Sequence, residues 1–99
     1  MFKPLVSILM NCYNGEKYLE KALESVFDQH YKNWELIFWD NVSSDKSEKI
    51  LKDFKDSRIK YFKSGTHTSQ YEARNKGLEK CNGDFIAFLD VDDWWLPTK

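Results

Sequence analysis

The sequence predicts an α/β fold, in which a Rossmann-like parallel sheet carries helices on both faces. The first observation is the order of elements, because β-prone apolar stretches alternate with stretches of helical periodicity as β-α-β-α-β-α-β. The second is the continuous apolar run from Phe85 to Leu89, which is typical of a strand covered on both faces. Successive parallel strands then require right-handed crossovers, and all of residues 1–99 belong to one domain.

Each element is predicted from its own residues. Apolar, β-prone runs predict strands over 5–10, 34–39, 59–62 and 85–89, and apolar residues at helical spacing predict helices over 16–29, 46–54 and 70–81. Asn14 is the expected N-cap of the first helix, and Asp45 with Glu48 and Ser69 with Glu72 have the capping-box spacing before the other two. The third strand is short and contains lysines, which predicts that it lies at an edge of the sheet.

Three acidic residues, Asp90, Asp92 and Asp93, follow the last predicted strand. As ions they repel one another, so a cation that neutralises them would explain the cluster, and ligands of parallel sheets collect at this end of the strands. The candidate metals are Mg²⁺ and Mn²⁺, because the ligands are hard oxygens and no His or Cys lies beside them. The alternative is an acidic, solvated turn.

Polar loops also follow the first two predicted strands. Segments 11–14, 40–45 and 90–93 each leave the carboxyl end of a strand, and a parallel sheet brings these ends to one edge. Side chains suited to a base and ribose therefore lie beside acids suited to a cation. A nucleoside diphosphate with its metal requires this combination of groups.

Composition limits the classes of function. The 99 residues are 41% hydrophobic and 31% charged with a formal net charge of -1, which indicates a globular domain without the basic surface that nucleic acid requires. No spanning helix or signal peptide is apparent, so we expect a cytoplasmic protein, with attachment to the cytoplasmic face of a membrane through other segments left open. Cys12 and Cys81 are expected to be reduced packing residues, and His30 and His67 to have surface or capping roles.

Five motifs cover essentially the whole chain: Val6 to Asn14, Leu19 to Gln29, Trp39 to Asp45, Ala73 to Gly77, and Gly83 to Asp93. Their order and spacing resemble those of the family-2 glycosyltransferases of GT-A fold, which transfer a sugar from a nucleotide donor. The resemblance implies that the chain is the nucleotide-sugar-binding half of such an enzyme.

The resemblance also implies roles for residues at matching positions. Asn11 and Tyr13 would border the base, with the Tyr13 ring available for stacking. Asp40 and Asn41 stand where the family usually has two acids, one of which accepts a hydrogen bond from a uracil imide. The Asn41 amide oxygen could still accept that bond, so uracil is the first choice and thymine or guanine stay open.

The remaining implied residues concern the diphosphate and the metal. Arg74 would bond phosphate oxygens. Asp90, Val91 and Asp92 form the DxD motif of the family; Asp92 and Asp93 would bind the metal, and Asp90 would hold the ribose or a metal-bound water.

The implied reaction is transfer of a hexose-type sugar with inversion, from a nucleotide donor, UDP-sugar being favoured, to a glycan or lipid-linked acceptor. Bacterial surface glycan synthesis is the common setting. The general base of the family follows the DxD segment, so we expect the natural protein to continue beyond Lys99 and the chain alone to be inactive. Trp94 and Trp95 require cover, which predicts self-association.

Two other classes use similar architecture, namely nucleotidyltransferases and non-catalytic nucleotide-binding modules. A nucleotidyltransferase usually has a glycine-rich, basic phosphate loop after the first strand, whereas Gly15 is the single glycine here. A receiver-type module would carry its acids after early strands, whereas this chain has its densest acid cluster after the last one. The sequence therefore favours the glycosyltransferase.

Overall fold

Four parallel strands alternate with three helices in the computed structural model, which describes residues 3–90. The strands are β1 (Val6–Cys12), β2 (Trp34–Asp40), β3 (Ile59–Lys63) and β4 (Phe85–Phe88), and the helices are α1 (Glu16–Phe27), α2 (Ser47–Asp53) and α3 (Gln70–Leu78). The strand order is β3-β2-β1-β4, and every neighbouring pair is parallel. This confirms the predicted fold class and order of elements.

Helices cover both faces of the sheet. On one face, α1 and α2 pack against the side chains of Ile8, Met10 and Phe38, all of which are fully buried. On the other face lies α3, and it approaches so closely that a Cβ atom added to Gly77 would be 2.5 Å from Cδ1 of Leu9. Most of the fully buried strand side chains belong to β1 and β2, so the core lies mainly along these two strands. Each such side chain stabilises the fold by about 1.5–3 kcal/mol.

The edge position of β3 was predicted correctly from the sequence, whereas the burial of β4 was not. β3 is an edge strand, as expected, with Lys60 and Lys63 exposed and its other side chains half-buried. The prediction that the last strand is covered on both faces is wrong, because Phe85, Ile86 and Phe88 are 61%, 45% and 49% exposed. The reason is that α3 packs across β1 and β2, which leaves β4 at the margin of the described sheet with β1 beside it.

Two of the three predicted helix caps do not form. Gly15 takes the N-cap position of α1 in place of Asn14, and Lys46 that of α2, in both cases without a side-chain capping bond. At α3 the prediction is confirmed, because the Ser69 side chain accepts a hydrogen bond from the Glu72 amide. This helix ends earlier than expected, since the Lys80 amide bonds to the Gly77 carbonyl in a tightened turn.

Both cysteines are free thiols, as the sequence indicated. Cys12 is buried at the end of β1, and Cys81 is half-buried after α3. No helix within residues 3–90 is long and apolar enough to cross a membrane.

Candidate functional site

A polar cleft of about 680 Å³ lies at the edge where the strands end. Its walls come from the segments that follow all four strands, and its lining includes Asn11, Tyr13, Asn41, His67, Thr68 and Asp90. Its volume is in the usual range for small-molecule sites in proteins. The expected convergence is therefore present for loops 11–14 and 40–45 and for Asp90, and segment 67–70 after β3 joins them, whereas residues 91–93 lie outside the described part.

Asn11 offers an unused acceptor beside this cleft. Its Oδ1 atom is buried and has no hydrogen-bond partner among the described residues. A buried carbonyl oxygen without a donor costs about 1–3 kcal/mol, so a donor supplied by a ligand would be favourable here.

Tyr13 stands at the rim of the cleft with 54% of its surface exposed. Its ring centroid lies 4.4 Å from that of His67, with the two planes tilted by 56°. An exposed aromatic ring held by a neighbouring ring is suited to contact with a planar ligand.

The loop that carries Tyr13 is tied to the loop after β2. Asn14 has a left-handed backbone (φ 50°), and its Oδ1 accepts a 2.7 Å hydrogen bond from the Ser44 amide. The Asp45 carboxylate accepts hydrogen bonds from the amides of Glu16 and Ser47, so it serves the first turn of α1 from a distant segment. Slight burial acts to raise the pKa of Asp45, but these hydrogen bonds hold it below its ordinary value.

Asp40 lies behind the cleft and does not line it. Its side chain is fully buried, one carboxylate oxygen accepting from the Ser43 amide at 2.8 Å and the other from the Tyr61 hydroxyl at 2.7 Å. Burial, and then the hydrogen bond to Asp40, raise the pKa of Tyr61 far above its ordinary value, so Tyr61 stays protonated and donates. Asp40 therefore holds the turn over residues 40–43, which directly follows β2 and contains Asn41.

Asn41 faces the cleft, but its amide is already engaged. Nδ2 donates to the Thr68 carbonyl at 2.7 Å, and Oδ1 accepts from the Thr68 amide at 2.9 Å and from the Thr68 hydroxyl at 3.3 Å. The Thr68 hydroxyl has one hydrogen and also lies 3.2 Å from the Ser69 carbonyl oxygen, so the Thr68 amide is the main donor to Oδ1. Asn41 thus joins the segment after β3 to the loop after β2.

His67 is a site residue that sequence reasoning missed, as is Thr68 beside it. Its Nδ1 lies 3.1 Å from the Asn41 carbonyl oxygen and its ring contacts Tyr13, so it is part of the cleft rather than only a surface or capping residue. The order of elements could have indicated this residue, because β3 is also a parallel strand and the loop that follows it must reach the same edge of the sheet.

Arg74 and Asp90 lie at the β4 side of the site. The Arg74 guanidinium stacks 5.0 Å from the Phe88 ring centroid and does not line the cleft, whereas Asp90 does. Asp92 and Asp93, the predicted metal ligands, lie outside the described residues. Within the described part, no group of three or more His, Cys, Asp or Glu side chains could hold a metal ion.

Cys12 lies beside the cleft but is not suited to nucleophilic chemistry. Burial raises the pKa of its thiol above the ordinary value, which keeps it protonated. Its sulfur contacts the Ser43 hydroxyl at 3.8 Å, a packing position between the two loops.

The parallel sheet and the polar cleft at its carboxyl edge place the chain in the Rossmann-like class of α/β proteins. Residues 7–99 match the sequence profile of Glycosyl transferase family 2. The chain belongs to this family.

Curated relatives match along nearly the whole chain. An uncharacterised glycosyltransferase of Haemophilus influenzae is 47% identical over all of it. The Escherichia coli UDP-Glc:alpha-D-GlcNAc-diphosphoundecaprenol beta-1,3-glucosyltransferase WfgD is 43% identical over 96% of it, and the putative teichuronic acid biosynthesis glycosyltransferase TuaG of Bacillus subtilis 39% over 99%. The chain spans 40%, 38% and 40% of the lengths of these three relatives, in the order given.

Solved structures show the same fold. S. aureus TarS 1-349 in complex with UDP-GlcNAc has a TM-score of 0.85 at 27% identity, over 90% of this chain and 27% of that one. The Pyrobaculum calidifontis mannosyltransferase PcManGT, in complex with GDP-Man and Mn²⁺, has a TM-score of 0.86 at 20% identity, over 95% of this chain and 29% of that one. The fold is therefore that of the GT-A glycosyltransferases, as the sequence resemblance implied.

Proposed function

We propose that this chain is the donor-binding part of a glycosyltransferase that moves a sugar from a UDP-sugar to an acceptor hydroxyl with inversion. The observation that carries the proposal is the presence of Asn11, Tyr13, Asn41 and Asp90 in one polar cleft of a family 2 chain. The choice of uridine is supported by relatives, since WfgD uses UDP-Glc by name and TarS was crystallised with UDP-GlcNAc.

In this proposal the nucleotide lies across the cleft from Tyr13 towards α3. The Tyr13 ring contacts the base, the free Oδ1 of Asn11 accepts a hydrogen bond from the nucleotide, and Asp90 bonds a ribose hydroxyl. Arg74 lies on α3, whose N-terminus also borders the cleft, so both a guanidinium and a helix dipole favour the diphosphate on this side. Asp40 and Asn41 act through the loops that they fix.

The proposed metal is Mg²⁺ or Mn²⁺, held by Asp92 and Asp93. Among the described residues, Asp90 fits a hard cation, because it brings a carboxylate oxygen to the cleft and lies two residues before Asp92 in the sequence. A bound cation would neutralise charge on the departing nucleoside diphosphate. The chain's own part is to hold the base, the ribose and the phosphates in place.

For the whole protein we propose that the general base and the acceptor site lie outside residues 1–99, in the part of the longer relatives that this chain does not span. We place the hexosyl transfer in bacterial surface glycan synthesis, on a glycan or lipid-linked acceptor, as the names of WfgD and TuaG suggest for those relatives. The chain alone should show no turnover of a radiolabelled donor. It should also self-associate through β4, whose apolar side chains are exposed.

A calorimetric titration with UDP, with and without Mn²⁺, tests the donor site. Asp92→Asn combined with Asp93→Asn should weaken Mn²⁺-dependent binding by at least about tenfold, because the metal loses both carboxylates. The matched control is Asp28→Asn with Asp53→Asn, which removes two exposed charges away from the cleft and should bind as the parent does.

The outcomes separate two parts of the proposal. Equal binding by the parent and the Asp92/Asp93 double variant would contradict the metal assignment alone. The uridine assignment would be abandoned if the parent bound GDP or dTDP but not UDP.

A further inference from the structure

The Asn41 amide is committed to Thr68, so the acceptor for the base is sought on a neighbouring residue of the cleft. A uracil or thymine ring carries one N–H between two carbonyl groups, so selective recognition requires an acceptor opposite that N–H. The Asn41 amide oxygen already accepts from the Thr68 amide at 2.9 Å, and the Thr68 hydroxyl lies 3.3 Å from it. An acceptor on another residue of the cleft would leave this pairing intact.

His67 has the required atom in a defined state. The partner of its Nδ1 is the Asn41 carbonyl oxygen, which can only accept, so Nδ1 carries the hydrogen and donates it. In the neutral ring this leaves Nε2 without a hydrogen, as an acceptor on the opposite side of the imidazole. The described structure gives Nε2 no partner, and the residue is exposed.

The position of the His67 ring is fixed as well as its tautomer. The bond to Asn41 holds one edge of the imidazole, and Tyr13 packs against the ring at 4.4 Å between centroids. Asn41 is itself held by Thr68, the next residue along from His67. This closed set of contacts fixes the acceptor next to the ring proposed to contact the base.

We propose that His67 is the residue that selects the base, with Nε2 accepting a hydrogen bond from the N3–H of a uracil or thymine. This inference rests on the proposed function and names the recognition at the same cleft. Cytosine should bind less well, because its N3 is an acceptor and would face the acceptor Nε2. The Tyr13 ring contacts the face of the base, and His67 contacts its edge.

Calorimetric titration with UDP, CDP and N3-methyl-UDP, each in the presence of Mn²⁺, tests this assignment. The parent chain should bind UDP about three- to tenfold more tightly than N3-methyl-UDP, the usual worth of one hydrogen bond. In His67→Asn the side-chain NH₂ can still donate to the Asn41 carbonyl, but no atom replaces Nε2, so the ratio should fall to about one. The matched control is His30→Asn, which lies away from the cleft and should keep the parent ratio.

A second variant guards against a folding defect in the first. His67→Phe keeps a ring against Tyr13 without any nitrogen and should also lose the preference for UDP over both other ligands. Circular dichroism identifies which variants are folded. If folded variants bind UDP and keep the parent ratio, the His67 assignment is wrong and the proposed function stands. If the parent binds none of the three ligands, both are wrong.

Discussion

Two neighbouring residues at the end of β2 divide the work of shaping the cleft. Asp40 is fully buried and receives a hydrogen bond on each carboxylate oxygen, from Tyr61 and from the Ser43 amide. Asn41 uses its amide to pair with the backbone of Thr68, which requires one donor and one acceptor. An ionised aspartate could not form this pair, because it has no donor. The contacts in this structure therefore explain why position 41 is an asparagine where the family usually has a second acid.

Replacement of Asn41 by aspartate should therefore destabilise the chain. In Asn41→Asp a carboxylate oxygen would face the Thr68 carbonyl oxygen in place of the 2.7 Å hydrogen bond, at a cost of about 1–3 kcal/mol in free energy of unfolding near neutral pH. Protonation would restore a donor, so the pKa of this carboxyl is raised in the folded state. The deficit should shrink as the pH falls through that raised pKa towards about 4, the ordinary value in the unfolded chain. Urea unfolding at several pH values measures this.

The matched control for this change is Asn75→Asp on the exposed surface of α3. It adds the same charge without removing a buried contact and should change stability by less than about 0.5 kcal/mol. Equal loss in both variants would contradict the role assigned to the Asn41–Thr68 pair.

At the scale of elements, the helix N-termini differ in whether local or distant residues bind their free amides. The first amide of α1 bonds to Asp45, which is 29 residues away, whereas α3 is capped by its own Ser69. Sequence patterns predicted the Ser69 cap of α3 but not the Asp45 contact to α1. Capping rules are local, whereas the Asp45 contact arises only when two loops meet. The same reason explains why Asn14 bonds to Ser44 instead of capping α1.

The strand β4 presents apolar side chains at an edge, which is an element-scale cause of association. Phe85→Lys should shift the chain towards monomer, because it places a charge on this surface, where Phe85 is 61% exposed. Tyr71→Lys on α3 is the control, since it also replaces an exposed aromatic residue but not on β4. Light scattering over a range of concentrations measures the effect, and equal association of parent and Phe85→Lys would exclude β4 as the surface.

For the whole molecule, the parallel topology determines which residues meet. The alternation of elements was sufficient to predict that Asn11, Asn41 and Asp90 would lie at one edge, although they are far apart in sequence. The loop after β3 was not among the predicted site segments, although the same topology places His67 there. The exposure of β4 depends on where α3 crosses the sheet, and no local pattern encodes that position.

The central claim is that a uridine nucleotide occupies the cleft at the carboxyl edge of the sheet. The most direct measurement is a two-dimensional ¹H–¹⁵N NMR titration of the chain with UDP and a divalent cation. The account predicts the largest amide shifts at Tyr13, Asn41 and Thr68, which border the cleft, and small shifts at Tyr31 and Asn33, which line a separate surface depression. Shifts centred on Tyr31 and Asn33, or no shifts at saturating UDP, would contradict it.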